Sequence, residues 1–380
     1  MRLLEYQAKQ LFSNQGISTP RGILCRSLEE IEREFPKFPD GAVLKAQVPS
    51  GKRGKGGGIK IVSTKDEALD FADFLFGANI CGFQVDCILM EEKIALAKEY
   101  YLSVITDTES RYSGPMVLFT VHGGMDIEEM LTEHPEYLQR INVDPRYGLM
   151  DFQVRRLIKE ADVPAAEQKV ITSTICSLYQ VYWKYDAEVA EINPLAIIEG
   201  GGVTALDGKI SVDNSALFRH KDLEAPRLDT VEARAAAKGL SYVELDGDIG
   251  IISNGAGLTM ATMDQLAIAG GKPANFMDTG ERILRDGIED GLQIISEQPG
   301  LRAVLINVFG GGVRCDVIAQ KITEAMARRS AFSLPVVVCL QGRNHEIGHQ
   351  LIRESGHPAL HLVETMEEAV RAVTRLGGTA

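Results

Sequence analysis

The sequence predicts two folded parts, an α+β N-terminal part followed by an α/β part built on a parallel sheet. Three observations lead there. The 380 residues are about two and a half times the roughly 150 expected of one domain. Hydrophobic residues make up 45%, enough for separate cores and too many for a disordered chain. Near residue 245 the texture changes, from short strand-like runs mixed with helical segments to regular alternation of strand and helix.

The chain opens on the helix-like MRLLEYQAKQLF, and the strand-like runs GAVLKAQV, GIKIVST, QVDCILMEE, YYLSVITD and GPMVLFTV follow. Between Ala165 and Tyr185, Ile171, Ile175, Leu178 and Tyr182 recur at steps of four, three and four, the spacing of one buried helical face. AEVAEINPLAII, a turn at Glu199 to Gly202 and VTALDGKISVD then read as a β-hairpin. The charged, Pro-containing stretch from His220 to Gly239 reads as a connector. After it come IGIIS, ANFMD, AVLINVF, PVVVCL and ALHLV, each followed by a helix-like segment. Continuous apolar strands of this kind imply a parallel sheet covered on both faces. The expected parts are 1–225, a connector 226–244, and 245–380.

Lys and Arg total 40 against 53 Asp and Glu, a net charge of −13 that disfavours nucleic acid as a partner. Six cysteines without a CxxC pair suit a reducing compartment, and neither a disulfide framework nor a structural zinc site. No apolar run approaches the roughly 20 residues of a membrane span, and no signal peptide is visible. The expectation is a cytoplasmic protein with no membrane association.

Four motifs could carry chemistry. Gly51-Lys52-Arg53-Gly54-Lys55-Gly56-Gly57-Gly58 joins a strand containing Lys45 to the strand beginning at Ile59. Glycines let backbone N–H groups approach oxyanions and the cations add charge, so this reads as a lid over phosphates, or equally as a mobile hairpin tip. It does not fit the P-loop pattern. In the hairpin, Asn193 and Asp207 are nearly equidistant from the turn centre, which places them opposite one another at roughly 5 Å. One carboxylate and one amide oxygen suit the sparse ligation of Mg²⁺, and Glu191 falls on the same face; Asn-Pro ending a strand and Asp-Gly making a turn is the plainer alternative. Asn254-Gly255-Ala256-Gly257 and Gly310-Gly311-Gly312-Val313 both sit where strand gives way to helix, at the strand ends where open α/β sheets bind ligands. Neither completes a dinucleotide fingerprint, which disfavours a nicotinamide dehydrogenase. The fourth, His345-Glu346-Ile347-Gly348-His349, matches HExxH but carries a helix-weakening Gly348, with the candidate third ligands His357 and His361 in a turn and a strand. We read it as accidental.

Taken in order, LLEYQAKQLF, LKAQV with RGKGGGIK, AKEYYL, GGMDIEE, AEINPLAI, LDGKIS, NSALFR, NGAGLTMATMD and NVFGGGVRCD resemble the succinate–CoA ligase β-subunit family over essentially the whole chain. The resemblance implies an ATP-grasp fold followed by a flavodoxin-like CoA-ligase domain. It implies Mg²⁺, ATP and CoA, and an α subunit that binds CoA and carries a phosphohistidine. Carried over by motif, Lys45, Lys52, Arg53 and Gly54 would hold nucleotide phosphates, Glu91 and Ile94 would border base and ribose, and Glu99 would face the nucleotide. Asn193 and Asp207 would hold Mg²⁺, Glu191 would sit where the partner's histidine is phosphorylated, and Asn254, Gly311, Gly312 and Val313 would contact the acid. Departures cluster at substrate-facing turns: Gly280-Glu281-Arg282-Ile283 replaces a Gly-Gly-Gly-Ala turn, Pro49 and Lys52 alter the lid, and Arg343 and His345 alter a Gly-Asn-Asn turn. They leave succinate, another polyanionic acid of malate, citrate or sulfonate type, or a non-catalytic paralogue open.

Overall fold

The computed structural model describes every residue except 52, 109–112, 125–131, 200, 225–229, 330–333 and 379–380. Lys52, most of the GGMDIEE motif and part of the expected connector therefore lie outside the described residues. The chain divides into two compact units, Met1–Arg227 and Leu228–Ala380.

Strands of the first unit are β1 (Gly22–Cys25), β2 (Ala42–Ala46), β3 (Ile59–Val62), β4 (Asn79–Ile80), β5 (Phe83–Gln84), β6 (Ile88–Glu92), β7 (Leu96–Asp107), β8 (Gly114–Thr120), β9 (Gln139–Asn142), β10 (Ala187–Ile198), β11 (Val203–Ala205) and β12 (Gly208–Val212). They form an antiparallel four-stranded sheet, β1-β6-β2-β3, an antiparallel six-stranded sheet, β11-β10-β7-β8-β9 with β12 also on β10, and a two-stranded antiparallel pair, β4-β5. Period-two alternation decides what each face carries. Ala42, Leu44 and Ala46 of β2 and Ile88 and Met90 of β6 enter one hydrophobic core with Ile31, Ala68 and Leu75. Lys45, Gln47 and Glu91 consequently fall on the opposite face. In the larger sheet, Ala190 and Ile192 point into the core shared with Phe12 and the Ala165–Lys184 helix, whose Ile171, Ile175, Leu178 and Tyr182 are all buried.

The hairpin shifts by one residue between Ala187 and Val189, and from Val189 to Ile197 it keeps one register, Leu195 opposing Ala205 on β11 and Ile192 opposing Gly208 on β12. Between them the ladder is interrupted at Asn193-Pro194 and Leu206-Asp207, where Pro194 has no N–H to give. Core-facing positions consequently change from Ala190 and Ile192 to Leu195 and Ile197 across the interruption.

The second unit contains β13 (Ser241–Glu244), β14 (Ile249–Ser253), β15 (Asn275–Asp278), β16 (Ala303–Gly310), β17 (Val336–Gly342) and β18 (Leu360–Val363), ordered β13-β15-β14-β16-β17-β18 and parallel except for β13. Apolar side chains leave both faces: Ile252, Val304, Ile306 and Val338 on one, Ile251, Leu305 and Val337 on the other. This is the flavodoxin-like order, with the chain stepping both ways from β14. Part of the stretch read as a connector is structured here: Val231–Ala237 is helical and Ser241–Glu244 pairs along β15.

Candidate functional site

In the first unit the helix Glu5–Asn14, β2, β6 and the 206–207 interruption bring together six ionised side chains. Glu5 and Lys9 lie one turn apart on the helix, with Lys9 Nζ 2.8 Å from Glu5 Oε1. Lys9 also reaches Glu91 Oε1 at 2.5 Å and the Leu206 carbonyl at 2.7 Å. Lys45 Nζ meets Glu5 Oε1 at 3.0 Å, Glu91 Oε2 at 2.7 Å and the same Leu206 carbonyl at 2.6 Å. One Arg53 nitrogen bridges Glu5 Oε2 at 2.6 Å and Asp207 Oδ1 at 2.7 Å, while the other donates to the Ala46 carbonyl at 3.3 Å. All but Asp207 are buried. Isolated charges at such depth are very unfavourable, and here mutual pairing offsets the desolvation.

Burial alone would raise the Glu5 carboxyl, but Arg53, Lys45 and Lys9 override it and hold that group well below the usual carboxylate range. The contest falls differently at the two lysines. Burial prevails at Lys9 and lowers its pKa, whereas Glu5, Glu91 and Asp207 outweigh burial at Lys45 and raise it.

Beside this network lies a cavity of about 90 Å³ lined by Glu5, Ser50, Arg53, Glu191, Asn193 and Asp207 among others. Asn193 and Asp207 share it, and Asn193 Oδ1 accepts the Gly124 N–H at 3.1 Å. Asp207 Oδ1 takes Arg53 and the Gly208 N–H, and Oδ2 has no hydrogen bond among the described residues. Hard oxygen donors of this kind, carboxylate and amide on one wall, fit Mg²⁺. Burial pushes the Glu191 carboxyl up, against the pull of Lys209 at 3.6 Å.

The Arg53–Gly58 loop is tightly turned, with the Gly58 N–H donating to the Arg53 carbonyl at 2.8 Å and Gly57 in the left-handed region. Gly54 is exposed at its tip. Ile94 sits half-buried in the link between β6 and β7. Glu99 lies against the Gly123-Gly124 turn, so closely that a Cβ on Gly124 would meet its carboxylate at 2.2 Å. Glu5, Lys9 and Gln47 escaped the reading of the sequence. The signal was present: in LLEYQAKQLF two opposite charges share a stripe with Ala8 and Phe12, and charges on an apolar stripe are a buried pair.

The second unit presents a differently built end. Asn254 is bound at both ends of its amide by the Phe309 backbone, donating to the carbonyl at 3.2 Å and accepting the N–H at 3.1 Å. Asp278 Oδ1 takes the Gly255 N–H at 2.6 Å and the Gly280 N–H at 2.8 Å, and Gly255 adopts φ +93°. Gly311, Gly312 and Val313 form the open turn before the helix Cys315–Arg328. Arg282 runs alongside Gly239 toward Asp290 at 3.5 Å, and Arg343 is exposed, its backbone N–H bonded to the Gly310 carbonyl at 3.1 Å. His349 is buried with Nε2 2.9 Å from the Leu340 carbonyl, and His345 Nδ1 is 3.0 Å from that of Gly342. Among the described residues no three His, Cys, Asp or Glu side chains gather as a metal-holding group.

Residues 2–197 match the ATP-grasp domain family and residues 252–376 the CoA-ligase family. Over 99% of both chains, this sequence is 41% identical to the succinate–CoA ligase [ADP-forming] subunit beta 2 of Archaeoglobus fulgidus. The chain belongs to the ADP-forming succinate–CoA ligase β-subunit family. The corresponding subunit of Salinibacter ruber is 40% identical over 98% of this chain and 99% of its own. Among solved structures, the ATP citrate lyase of Methanothrix soehngenii, in complex with citrate and coenzyme A, superposes with a TM-score of 0.72 at 19% identity over 99% of this chain and 98% of that one, a likeness of fold. The N-terminal fold is thus ATP-grasp, and the sheet order of the second unit is that of its CoA-ligase domain. No helix among the described residues is long and apolar enough to cross a membrane.

Proposed function

We propose that this chain is the β subunit of an ADP-forming ligase that joins a small anionic carboxylic acid to CoA. ATP is converted to ADP and phosphate through an acyl phosphate and a phosphohistidine carried by a partner α subunit. The observation that carries the reading is the placement of Asn193 and Asp207 in one hairpin register, on one cavity with Arg53. Bound there, Mg²⁺ would neutralise charge on the transferring phosphoryl group. Lys45, Arg53 and the Gly54 backbone hold the phosphates, and Glu91, Ile94 and Glu99 border the rest of the nucleotide. Glu191, its carboxyl raised by burial, receives and orients the partner's imidazole. Asn254 fixes the β14 and β16 ends and so positions the Gly311-Gly312-Val313 turn against the acid. The acid class is succinate or a similar polyanion: Arg343 is exposed beside Gly310 and makes no ion pair among the described residues, whereas Arg282 is taken up by Asp290.

The test is thioester formation by the purified heteromer with Mg·ATP, CoA and a panel of succinate, malate, citrate and a sulfonate analogue. Turnover of one acid with release of ADP is expected. Absence of any nucleotide-dependent phosphate on the partner's histidine would favour a non-catalytic paralogue.

A further inference from the structure

The two cations read as phosphate ligands are both engaged by protein carboxylates. The three Lys45 ammonium protons match three acceptors, Glu5, Glu91 and the Leu206 carbonyl. The bridging Arg53 nitrogen gives its two protons to Glu5 and Asp207. Lys45 is 7% exposed and Arg53 4%. A phosphate that takes the Lys45 ammonium or the bridging Arg53 nitrogen must displace a protein acceptor. Among the described residues Glu5 is the one carboxylate in contact with all three cations: Oε1 takes Lys9 and Lys45, while Oε2 takes Arg53 at 2.6 Å and Gln47 Nε2 at 3.3 Å. It also lines the cavity that Asn193 and Asp207 share. With three cations against Glu5, Glu91 and Asp207 the cluster is neutral, and a nucleotide adds further negative charge beside Glu5.

We propose that Glu5 is a resident carboxylate that stands in for nucleotide phosphate, holding Arg53 and Lys45 while the site is free and yielding them when phosphate enters. This rests on the nucleotide reading above. Glu5 therefore competes with nucleotide for the same donors, and removing its charge tightens binding. A purely structural Glu5 makes the opposite demand, because its removal would loosen the cations and weaken binding.

The experiment is calorimetric titration of the full chain in its heteromer with ADP in the absence of Mg²⁺, which separates the phosphate contacts from those of Asn193 and Asp207. Glu5→Gln is expected to bind ADP about tenfold more tightly, the scale of releasing one charge-assisted contact. Because Glu5→Gln leaves one buried cation uncompensated, Glu5→Gln/Lys9→Met restores neutrality. It should bind more tightly than Lys9→Met alone by a similar factor, with an unchanged circular dichroism spectrum. Binding equal to or weaker than that of Lys9→Met overturns the proposal and makes Glu5 scaffolding. Failure of the parent heteromer to bind ADP overturns the nucleotide reading together with it.

Discussion

The two units solve the same problem, placing fixed charge at a strand end, by opposite means. The first buries whole ions: Lys9, Lys45 and Arg53 against Glu5, Glu91 and the half-exposed Asp207. The second relies on backbone groups: the Asn254 amide ties the ends of β14 and β16 together, and Asp278 takes the Gly255 and Gly280 N–H groups. Ions give large, directional attraction at the expense of desolvation, and any unpaired member is severely destabilising. Dipoles give a weaker attraction that needs no counter-ion and does not titrate. The first unit should therefore respond to single charge deletions in stability and in pH, and the second in ligand contact alone.

The largest expected effect breaks the metal wall. Asp207→Ala should lower kcat/KM for thioester formation by about a thousandfold, as expected where a phosphoryl-transfer metal loses its carboxylate. A Mg²⁺ titration that restores activity at high metal would place the loss in binding. Lys45→Met leaves Glu91 and Glu5 with one cation fewer. It should destabilise the chain by about 3–5 kcal/mol, read by denaturant unfolding, whereas neutralising both sides with Lys45→Met/Glu91→Leu should recover most of that. If Lys45→Met unfolds like the parent chain, the charge cluster contributes little and the contrast between units disappears.

Asn254→Ala removes both contacts to Phe309. We expect KM for the acid to rise about tenfold, the scale of one or two net hydrogen bonds, with ADP affinity unchanged. A change in ADP affinity would show that the strand-end loop serves the nucleotide. The smallest effect is in acid. Glu5 is held below its ordinary value in the folded chain, so its contribution is fully present above about pH 4.3 and is lost as pH falls from there toward the depressed folded value. Glu5→Gln should flatten the dependence of unfolding free energy on pH below 4 by up to about 1.4 kcal/mol per pH unit. An unchanged slope would mean that Glu5 is not the depressed group.

Much of the scaffold was legible because periodicity is local. The 171–182 stripe marked a helix, and the apolar runs after residue 245 marked a doubly covered sheet. The reading missed what depends on partners. The interruption at Asn193-Pro194, with its change of core-facing positions, needed the partner strand. The segment 241–244 looked like connector because an edge strand carries little apolar pattern until β15 is beside it. Arg282 looked available to a substrate until Asp290 was seen to take it up.

The amino-acid order alone therefore settled faces: which side of β2 carries Lys45, which side of β10 carries Glu191, and which turns hold glycine. These follow from backbone geometry over a few residues. Only the tertiary structure decided that Glu5, Lys45, Glu91, Arg53 and Asp207, spread over two hundred positions, meet in one desolvated cluster. The strength and ionisation of such groups are set by the water they lose and the charges they gain, and both are properties of the packed chain.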